Sequence, residues 1–275
     1  MSDAERRAAL SLRRAGSGRP TASSGVHATL AVLDLLAARS PLGLSEISRE
    51  LGIAKSTLHR ICTVLVERGW AVRDRDGRFD LGIRALRLGS ASAELPIVTA
   101  FRTVAAEFLT RHDETIALAV LDGDESLFVA LEETSQPVRL VTHVGSKTPA
   151  FASASGRVVL ASFPPAAVAA MFGGRLLVTP TGRRLNGVAE LQSILAEVRE
   201  LGYAENVEET AEGLYAASVP VVNEEGVTLA ALTALVPTAR ISPERKRLIV
   251  GDLVRLGAQL SELVGWLPAF TSRRP

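Results

Sequence analysis

Two short stretches carry hydrophobic residues at three- and four-residue spacing, which is the period of one face of a helix. The first begins at Gly43, an N-cap position, has Glu46 in its first turn, where a carboxylate favours a helix, and ends at Gly52. The second begins near Ala54. The apolar faces consist of Leu44, Ile47 and Leu51 in the first stretch and Leu58, Ile61 and Leu65, with Cys62 beside them, in the second. Two short helices that meet at a tight turn predict a helix-turn-helix.

The other face of the second helix is polar, and its basic residues lie in the N-terminal half. This face consists of Lys55, Ser56, Thr57, His59 and Arg60. In a helix-turn-helix, the first residues of the second helix reach base edges in the major groove, and Lys, Arg, Ser and Thr contact bases or phosphates. A basic helix by itself is more often a solvated surface. The turn before this helix and the hairpin after it favour DNA recognition.

Residues 69–82 read as two short strands around a turn. The first strand is predicted over Trp70 to Val72 and the return strand over Arg78 to Leu81, and the Asp-Gly pair between them is a strong hairpin signal. A hairpin directly after a recognition helix predicts a wing. The wing would bring Arg73, Arg75 and Arg78 to phosphates or the minor groove. An ordinary exposed hairpin is the alternative.

Helices are predicted on either side of this unit. One covers residues 24–38 and ends before Ser40-Pro41, and a short one covers residues 83–88. A longer helix is predicted over residues 96–112, with an apolar face made of Ile97, Ala100, Phe101, Val104, Ala105 and Phe108. This helix either links two domains and pairs with its copy in a dimer, or packs only on its own domain.

The second half of the chain alternates between strand and helix patterns. Strands are predicted over residues 115–121, 126–131, 138–142, 214–222 and 228–236, and loops over 144–149 and 173–186. Helices are predicted over 151–162, 164–171, 188–201 and 242–263, with Pro243 at an N1-like position in the last. A sheet flanked by helices indicates an α+β fold, close to a PAS/GAF-like sensory module.

Composition and charge fit a two-domain protein. The 275 residues are 47% hydrophobic, which is enough for sizeable cores. The net charge is only +1, but residues 1–92 hold 15 Lys/Arg against 9 Asp/Glu and the remainder holds 16 against 21. A basic part joined to an acidic part suits a nucleic-acid reader fused to a sensor. We predict a disordered arm over 1–22, a DNA-binding domain over 23–90, a linker helix with the sensor domain over 91–270, and a tail over 271–275.

Several functional classes are excluded by what the sequence lacks. A single cysteine permits no intrachain disulfide, and no apolar run reaches the length of a membrane span or resembles a signal peptide, so we predict a cytoplasmic protein. No nucleophile elbow, P-loop or zinc-ligand spacing occurs, and the four histidines lie far apart. We therefore predict no metal, no cofactor and no enzyme. A hydrolase built from Ser153, Ser155, His143 and Glu208 is the weaker alternative.

Residues 152–156 are all small and stand at the start of a predicted helix. Backbone N–H groups at a helix N-terminus, with little side-chain bulk around them, form a natural cradle for a carboxylate. The alternative is that the small residues only let the helix pack tightly against the sheet. Both interpretations are open from the sequence.

The sequence resembles the IclR family of bacterial transcription regulators over roughly residues 24–265. In the first domain the resemblance is carried by GIAKSTLHR at 52–60 and by the wing ending FDLG at 79–82. In the second it is carried by GSKTP at 145–149, ASASG at 152–156, Gly202-Tyr203, Glu208-Glu209, Gly213-Leu214 and Pro220-Val221. Each segment is short, and it is their order and spacing along the chain that make the resemblance.

The resemblance implies a winged helix-turn-helix joined by a helix to an effector-binding domain. It also implies a dimer through the N-terminal domains, often a tetramer through the sensors, and a small organic acid as effector; the family includes repressors and activators. The positions that it assigns to the effector pocket are Ala154, Ser155, Asn206, Ala216, Thr233 and Leu235. Relatives often have aspartate at Asn206 and cysteine at Ala216, and Phe151, Arg157 and Ser218 also depart from the common residues. These departures imply a more apolar or bulkier ligand, or a domain that binds none and only dimerises.

Overall fold

The structure, a computed structural model, describes residues 25–92 and 95–268. The chain divides into two compact units, Met1–Ser92 and Ala93–Pro275. The predicted arm over 1–22 and tail over 271–275 lie outside the described residues. Within the described part, no helix combines the length and the apolar character needed to cross a membrane.

The first unit is a helix-turn-helix followed by a hairpin, as predicted. Its helices are α1 (Gly25–Arg39), α2 (Leu44–Leu51) and α3 (Lys55–Glu67). The Gly43 N–H donates to Glu46 Oε2 at 2.7 Å, and Gly52 ends α2 in the left-handed region at φ 67°. These residues start and stop α2 as their sequence positions indicated. The core of the unit contains Val32, Leu35, Leu36, Ile47, Leu58, Ile61, Cys62, Leu65, Ala71 and Phe79.

The wing consists of β1 (Ala71–Arg73) and β2 (Phe79–Leu81), paired antiparallel. Asp74 Oδ1 accepts hydrogen bonds from the N–H groups of Asp76 and Arg78, which closes the turn. Leu42 adds a bridge on the other side of β2, since its N–H and C=O exchange bonds with Phe79 at 2.9 and 2.8 Å. The hairpin is therefore attached to the segment that leads into α2.

The helix after the wing, α4 (Ile83–Ser92), is longer than predicted and continues through Gly89 and Ser90. A glycine and a serine are poor but tolerated in a helix interior, so they do not stop it. The exposed apolar residues of α4 are Ile83, Leu86 and Leu88, at 65%, 65% and 63% of their full accessibility.

The second unit is built on a six-stranded antiparallel sheet in the order β5-β4-β3-β8-β7-β6. The strands are β3 (Thr115–Asp122), β4 (Glu125–Glu132), β5 (Lys147–Pro149), β6 (Ala204–Val207), β7 (Leu214–Val222) and β8 (Thr228–Pro237). The helices are α5 (Pro96–His112), α6 (Ala154–Ala161), α7 (Pro165–Phe172), α8 (Gly187–Leu201) and α9 (Pro243–Val264). A 3₁₀ turn, Thr238–Arg240, joins β8 to α9.

Helices cover both faces of this sheet. Ile116 and Leu118 of β3 pack in one core with α5 and α9, whereas Ala117 and Ala119 pack in a second core with α6, α7 and α8. The two-residue alternation of a strand separates these cores. This architecture confirms the predicted α+β fold.

Three sequence predictions in this unit were wrong. Residues 138–142 are irregular rather than a strand, residues 147–149 form β5 rather than a loop, and β6 was not predicted. Leu140 packs against the second core, but Val138 and Val141 do not pack on the sheet, since they are 67% and 93% exposed. An apolar stretch forms a strand only when a neighbouring strand pairs with it. No strand in the described part of the chain pairs with residues 138–142.

Helix α5 is the helix linker that follows the first unit in the chain, and its predicted apolar face packs on its own unit; its pairing with a second copy stays a prediction. Phe101, Val104, Ala105 and Phe108 are fully buried in the core of its own unit, where α5 packs on α9, β3 and β4. The apolar face of α5 is thus already covered within one chain.

Candidate functional site

The predicted recognition face of α3 is solvent-exposed. Its five polar residues, Lys55, Ser56, Thr57, His59 and Arg60, are all exposed, while Leu58 between them is fully buried. Ala54 precedes the helix and supplies no side-chain cap, so the first N–H groups of α3 have no side-chain acceptor there. A cationic, hydroxyl-bearing helix face of this kind is suited to phosphates and base edges.

The three arginines of the wing lie in different environments. The Arg73 guanidinium stacks over the Phe79 ring, 5.6 Å from its centroid, and Arg75 is exposed at the turn without an ion pair among the described residues. The Arg78 Nη2 atom donates to the Pro41 carbonyl at 2.7 Å and lies 3.1 Å from Glu46 Oε2. Arg78 therefore fastens the wing to the start of α2, which sequence spacing did not reveal.

A cavity of about 180 Å³ opens between the sheet and the N-terminus of α6. Fifteen residues line it, and none has an ionisable side chain. The hydroxyl-bearing ones are Thr142, Ser146, Thr148, Ser153, Ser155, Thr210 and Thr233. The apolar ones are Phe128, Leu140, Val141, Ala154, Ala211, Leu214, Ala216 and Leu235.

Five of the six residues predicted for the effector pocket line this one cavity: Ala154, Ser155, Ala216, Thr233 and Leu235. The sixth, Asn206, is buried beside it. The Asn206 Nδ2 atom donates to the Ala152 carbonyl, and its Oδ1 atom accepts from the Glu209 N–H at 3.1 Å. Asn206 thus holds the segment before α6 against β6, and its amide is used within the protein.

The N-terminus of α6 faces the cavity through Ala154 and Ser155, its first two residues. The N-cap residue Ser153 accepts a hydrogen bond from the Gly156 N–H at 3.1 Å. The N–H groups of the first two helical residues have no acceptor within a helix, so an acceptor in the cavity is free to use them. Gly156 also supports the packing alternative, because a Cβ there would lie 2.3 Å from the Ala150 carbonyl oxygen.

Two buried pairs of hydroxyl groups border the cavity. The Ser155 and Ser126 Oγ atoms are 2.8 Å apart, and Thr233 Oγ1 lies 2.8 Å from Ser218 Oγ. Because each hydroxyl both donates and accepts, these pairs fix the orientation of Ser155 and Thr233 without placing a charge beside the cavity.

A buried ion pair lies directly beside one wall of the cavity. Arg157 and Glu209 form a buried bidentate pair with N–O distances of 3.0 and 2.7 Å, and the Arg157 Nε atom donates to the Phe151 carbonyl. Arg183 adds a third contact, 2.9 Å from Glu209 Oε1. Glu209 directly precedes Thr210 of the cavity wall, so the ion pair positions that wall.

The sequence reasoning missed several lining residues. Phe128 comes from the inward face of β4, and Leu140 and Val141 come from the irregular segment predicted as a strand. The alternation of β4 gives a signal for Phe128, whereas nothing local indicates that residues 140–142 border a cavity. Among the described residues, no group of three or more His, Cys, Asp or Glu side chains has the arrangement to hold a metal ion.

The first unit has an exposed basic helix and a wing, and the second is a separate α+β unit with a cavity of small-molecule size. This combination defines a DNA-binding transcriptional regulator with a sensor domain. The profile described as IclR helix-turn-helix domain matches residues 26–75, and the profile described as bacterial transcriptional regulator IclR C-terminal matches residues 90–262. The chain therefore belongs to the IclR family of bacterial transcriptional regulators, which are not enzymes.

Relatives along nearly the whole chain support this assignment. The chain is 26% identical to the HTH-type transcriptional regulator KdgR of Escherichia coli K12, covering 90% of this chain and 95% of that one. It is 30% identical to the HTH-type transcriptional regulator Rv1719 of Mycobacterium tuberculosis, covering 92% and 97%.

Solved structures agree with the fold. An IclR transcriptional regulator from Alicyclobacillus acidocaldarius superposes with a TM-score of 0.78 at 26% identity, covering 88% of this chain and 98% of that one. An IclR homologue from Microbacterium hydrocarbonoxydans, complexed with 4-hydroxybenzoate, superposes with a TM-score of 0.69 at 25% identity, covering 86% and 98%.

Proposed function

We propose that this regulator binds a specific operator through α3 and its wing, and that a small organic acid in the cavity changes its affinity for that operator. The observation that carries the effector part of this proposal is the cavity itself. The N–H groups of Ala154 and Ser155 at the start of α6, together with seven hydroxyl-bearing and eight apolar lining residues, match a carboxylate on a largely apolar body.

The DNA-binding part rests on the exposed cations and hydroxyls of α3. Lys55, Ser56, Thr57, His59 and Arg60 would enter the major groove, and Arg73 and Arg75 would meet the backbone beside it. Arg78 would contribute by fixing the wing, because its guanidinium is held by Pro41 and Glu46.

The size and neutrality of the cavity narrow the effector class. An engineered apolar cavity of about 150 Å³ accommodates benzene, so a cavity of about 180 Å³ suits a single ring or a branched chain of similar size. A second negative charge would have no cation to pair with among the lining residues, so we expect a monocarboxylate. The 4-hydroxybenzoate complex of the Microbacterium hydrocarbonoxydans relative is consistent with this class.

Thermal shift with a panel of monocarboxylates and matched dicarboxylates tests this proposal. A ligand of the native state at 100 times its Kd adds about 2.7 kcal/mol to the free energy of unfolding, which raises the melting temperature measurably. A monocarboxylate that stabilises the protein should then also change its operator affinity in a gel-shift assay. If no member of the panel stabilises the protein, the result favours the alternative, a domain that binds no ligand and only dimerises. Stabilisation without any change in DNA affinity would contradict the regulatory role of the ligand.

We also propose that the regulator is a homodimer, or a tetramer built from dimers. Two helices of the first unit expose five large aliphatic side chains, namely Val26 and Leu30 on α1 and Ile83, Leu86 and Leu88 on α4. Large exposed apolar residues on a small unit favour a protein interface, and a two-fold dimer would match two operator half-sites about one helical turn apart. Light scattering of the full chain, compared with a Leu86→Glu variant, tests this assembly.

A further inference from the structure

The segment between β4 and β5 forms part of the cavity rim, and it is only partly packed, with Leu140 against the second core. Leu140, Val141 and Thr142 of this segment line the cavity, yet Val141 is 93% exposed and Val138 67%. Apolar side chains at the mouth of an apolar cavity gain burial if the segment moves inward over a ligand. The far end is secured, since Gly145 N–H donates to the Phe128 carbonyl at 2.8 Å.

The near end of this segment is attached to the last residues of α5. Asp113 ends α5 in the left-handed region, with φ 46°, and its Oδ1 atom accepts from the Ser135 N–H at 2.9 Å. Its Oδ2 atom accepts from Ser135 Oγ at 2.8 Å and from Gln136 Nε2 at 2.7 Å. Thr134 Oγ1 donates to the Asp113 carbonyl at 2.6 Å. These bonds to the carboxylate, Ser135 first, lower the pKa of Asp113 to about 2, so they persist at neutral pH.

A second attachment comes from Glu114, the next residue. Its carboxylate is fully buried, and Arg240 Nε lies 2.8 Å from Glu114 Oε1. The Arg240 Nη1 atom donates to the Val138 carbonyl at 2.7 Å. One half-buried guanidinium therefore joins the start of the rim segment to Glu114, and charge-assisted hydrogen bonds of this kind are stronger than neutral ones.

We propose that residues 137–146 are a lid on the cavity, and that Asp113 and Arg240 fasten this lid to the C-terminal end of α5. Helix α5 begins at Pro96, directly after the DNA-binding unit in the chain, so lid closure and DNA binding act on opposite ends of one helix. This inference rests on the proposed function, because it requires that DNA affinity responds to the cavity.

Thermodynamic linkage allows the coupling to be tested without the effector. If closing the lid changes DNA affinity, DNA binding must change the lid equilibrium by the same factor. A Val141→Cys variant carries a thiol on the lid for an environment-sensitive fluorophore, and Cys62, the one other thiol in the chain, is buried. The probe is a duplex that the purified full-length protein selects from a random-sequence pool.

We expect the duplex to change the fluorescence of the labelled lid, with saturation at the concentration at which anisotropy of the duplex shows binding. Adding Asp113→Asn should leave the duplex Kd within about twofold and reduce the fluorescence change at least about fivefold, because coupling is lost with the contacts that carry it. Asparagine tolerates the left-handed region, so it keeps the end of α5, but its NH₂ group cannot accept the bonds that Asp113 Oδ2 takes from Ser135 Oγ and Gln136 Nε2.

Two further variants keep the result interpretable. Asp124→Asn is the matched control, because Asp124 is a surface carboxylate in the β3–β4 turn that pairs with Arg175 at 2.6 Å. This variant should keep the full response. Arg240→Gln should lower the response as Asp113→Asn does, and it replaces that variant if the latter melts early. Duplex binding with no lid response, or an undiminished response in both anchor variants, would overturn the lid coupling alone. Failure to select any duplex would contradict the proposed function itself.

Discussion

The recognition face of α3 and the cavity of the second unit are both suited to anions, but they use different physical means. The helix face presents exposed cationic side chains, among them Lys55 and Arg60, in solvent. The cavity presents backbone N–H groups and hydroxyls, and no lining residue is ionisable. Exposed cations gain affinity by releasing counterions from a polyanion, whereas a desolvated cavity would bind a small anion through fixed dipoles.

This difference has a consequence for specificity. A flexible exposed cation attracts any phosphate backbone, so discrimination must come from the few side chains that reach base edges. A neutral, shaped cavity rejects extra charge, because an unpaired buried charge is costly.

The largest expected effect concerns the buried ion pair behind the cavity. Glu209→Gln leaves the Arg157 charge buried without its partner, and breaking such a pair should lower the free energy of unfolding by about 3 kcal/mol. Urea denaturation of the full chain measures this, with the exposed Glu197→Gln as the matched control. If Glu209 serves the fold and not the ligand, effector affinity below the melting range should stay within about twofold of wild type. If the folded Glu209→Gln variant fails to bind the effector, the Glu209 carboxylate contributes to effector binding, and the binding site is not neutral.

A substitution inside the cavity should have the next largest effect. Ser155→Leu fills the space in front of the α6 N-terminus, so we expect effector affinity to fall at least about 100-fold, which corresponds to about 2.7 kcal/mol. Isothermal titration measures this, and Ser155→Ala is the control that removes the hydroxyl without adding bulk. Operator affinity of the ligand-free Ser155→Leu protein should be unchanged. Normal ligand-induced regulation by this variant would refute the cavity assignment.

A substitution on α3 should weaken DNA binding in a sequence-dependent way. If Arg60 meets a guanine edge, Arg60→Ala should cost about 1–3 kcal/mol on the selected operator and much less on random duplex. Gel-shift titrations with both duplexes measure the difference, and Arg39→Ala, at the end of α1, is the matched arginine control. Equal affinity of wild type and Arg60→Ala for the operator would remove Arg60 from the interface.

The smallest effect distinguishes two arginines of the wing. Arg75→Ala should reduce the slope of log Kd against log salt by about one, because the exposed Arg75 would neutralise one phosphate. Arg78→Gln should weaken binding with the slope unchanged and should lower the melting temperature, because Arg78 bridges Pro41 and Glu46. A reduced slope with normal stability in Arg78→Gln would instead make it a phosphate contact.

Local patterns were sufficient for the first unit. Gly43, Glu46 and Gly52 bound α2 through contacts within a few residues, and the Asp76-Gly77 turn closes the wing by bonds to Asp74. Structure that is stabilised by near neighbours in sequence leaves its signal in the sequence. Arg78 is the exception in this unit, since its partner Pro41 is 37 residues away.

The second unit was predictable in its helices and its four long strands, but only partly in its short strands and its site. The resemblance located Ala154, Ser155, Ala216, Thr233 and Leu235, which come from three separate elements and meet at one cavity. It also assigned Asn206 to the pocket wall, whereas the structure places its amide between Ala152 and Glu209. The sequence does not show which face of a short edge strand such as β6 is turned toward the cavity.

The sequence by itself determined the order of the elements, the basic recognition face of α3 and the family, because periodicity, turn residues and motif order are properties of the chain. Only the tertiary structure decided that Arg78 holds the wing against Pro41 and Glu46. It also decided that residues 138–142 border a cavity instead of forming a strand, and that hydrogen bonds attach their segment to the end of α5. Each of these depends on groups far apart in sequence whose hydrogen bonds form only after the cores have packed. Such contacts have no period to detect, so no reading of a single chain could supply them.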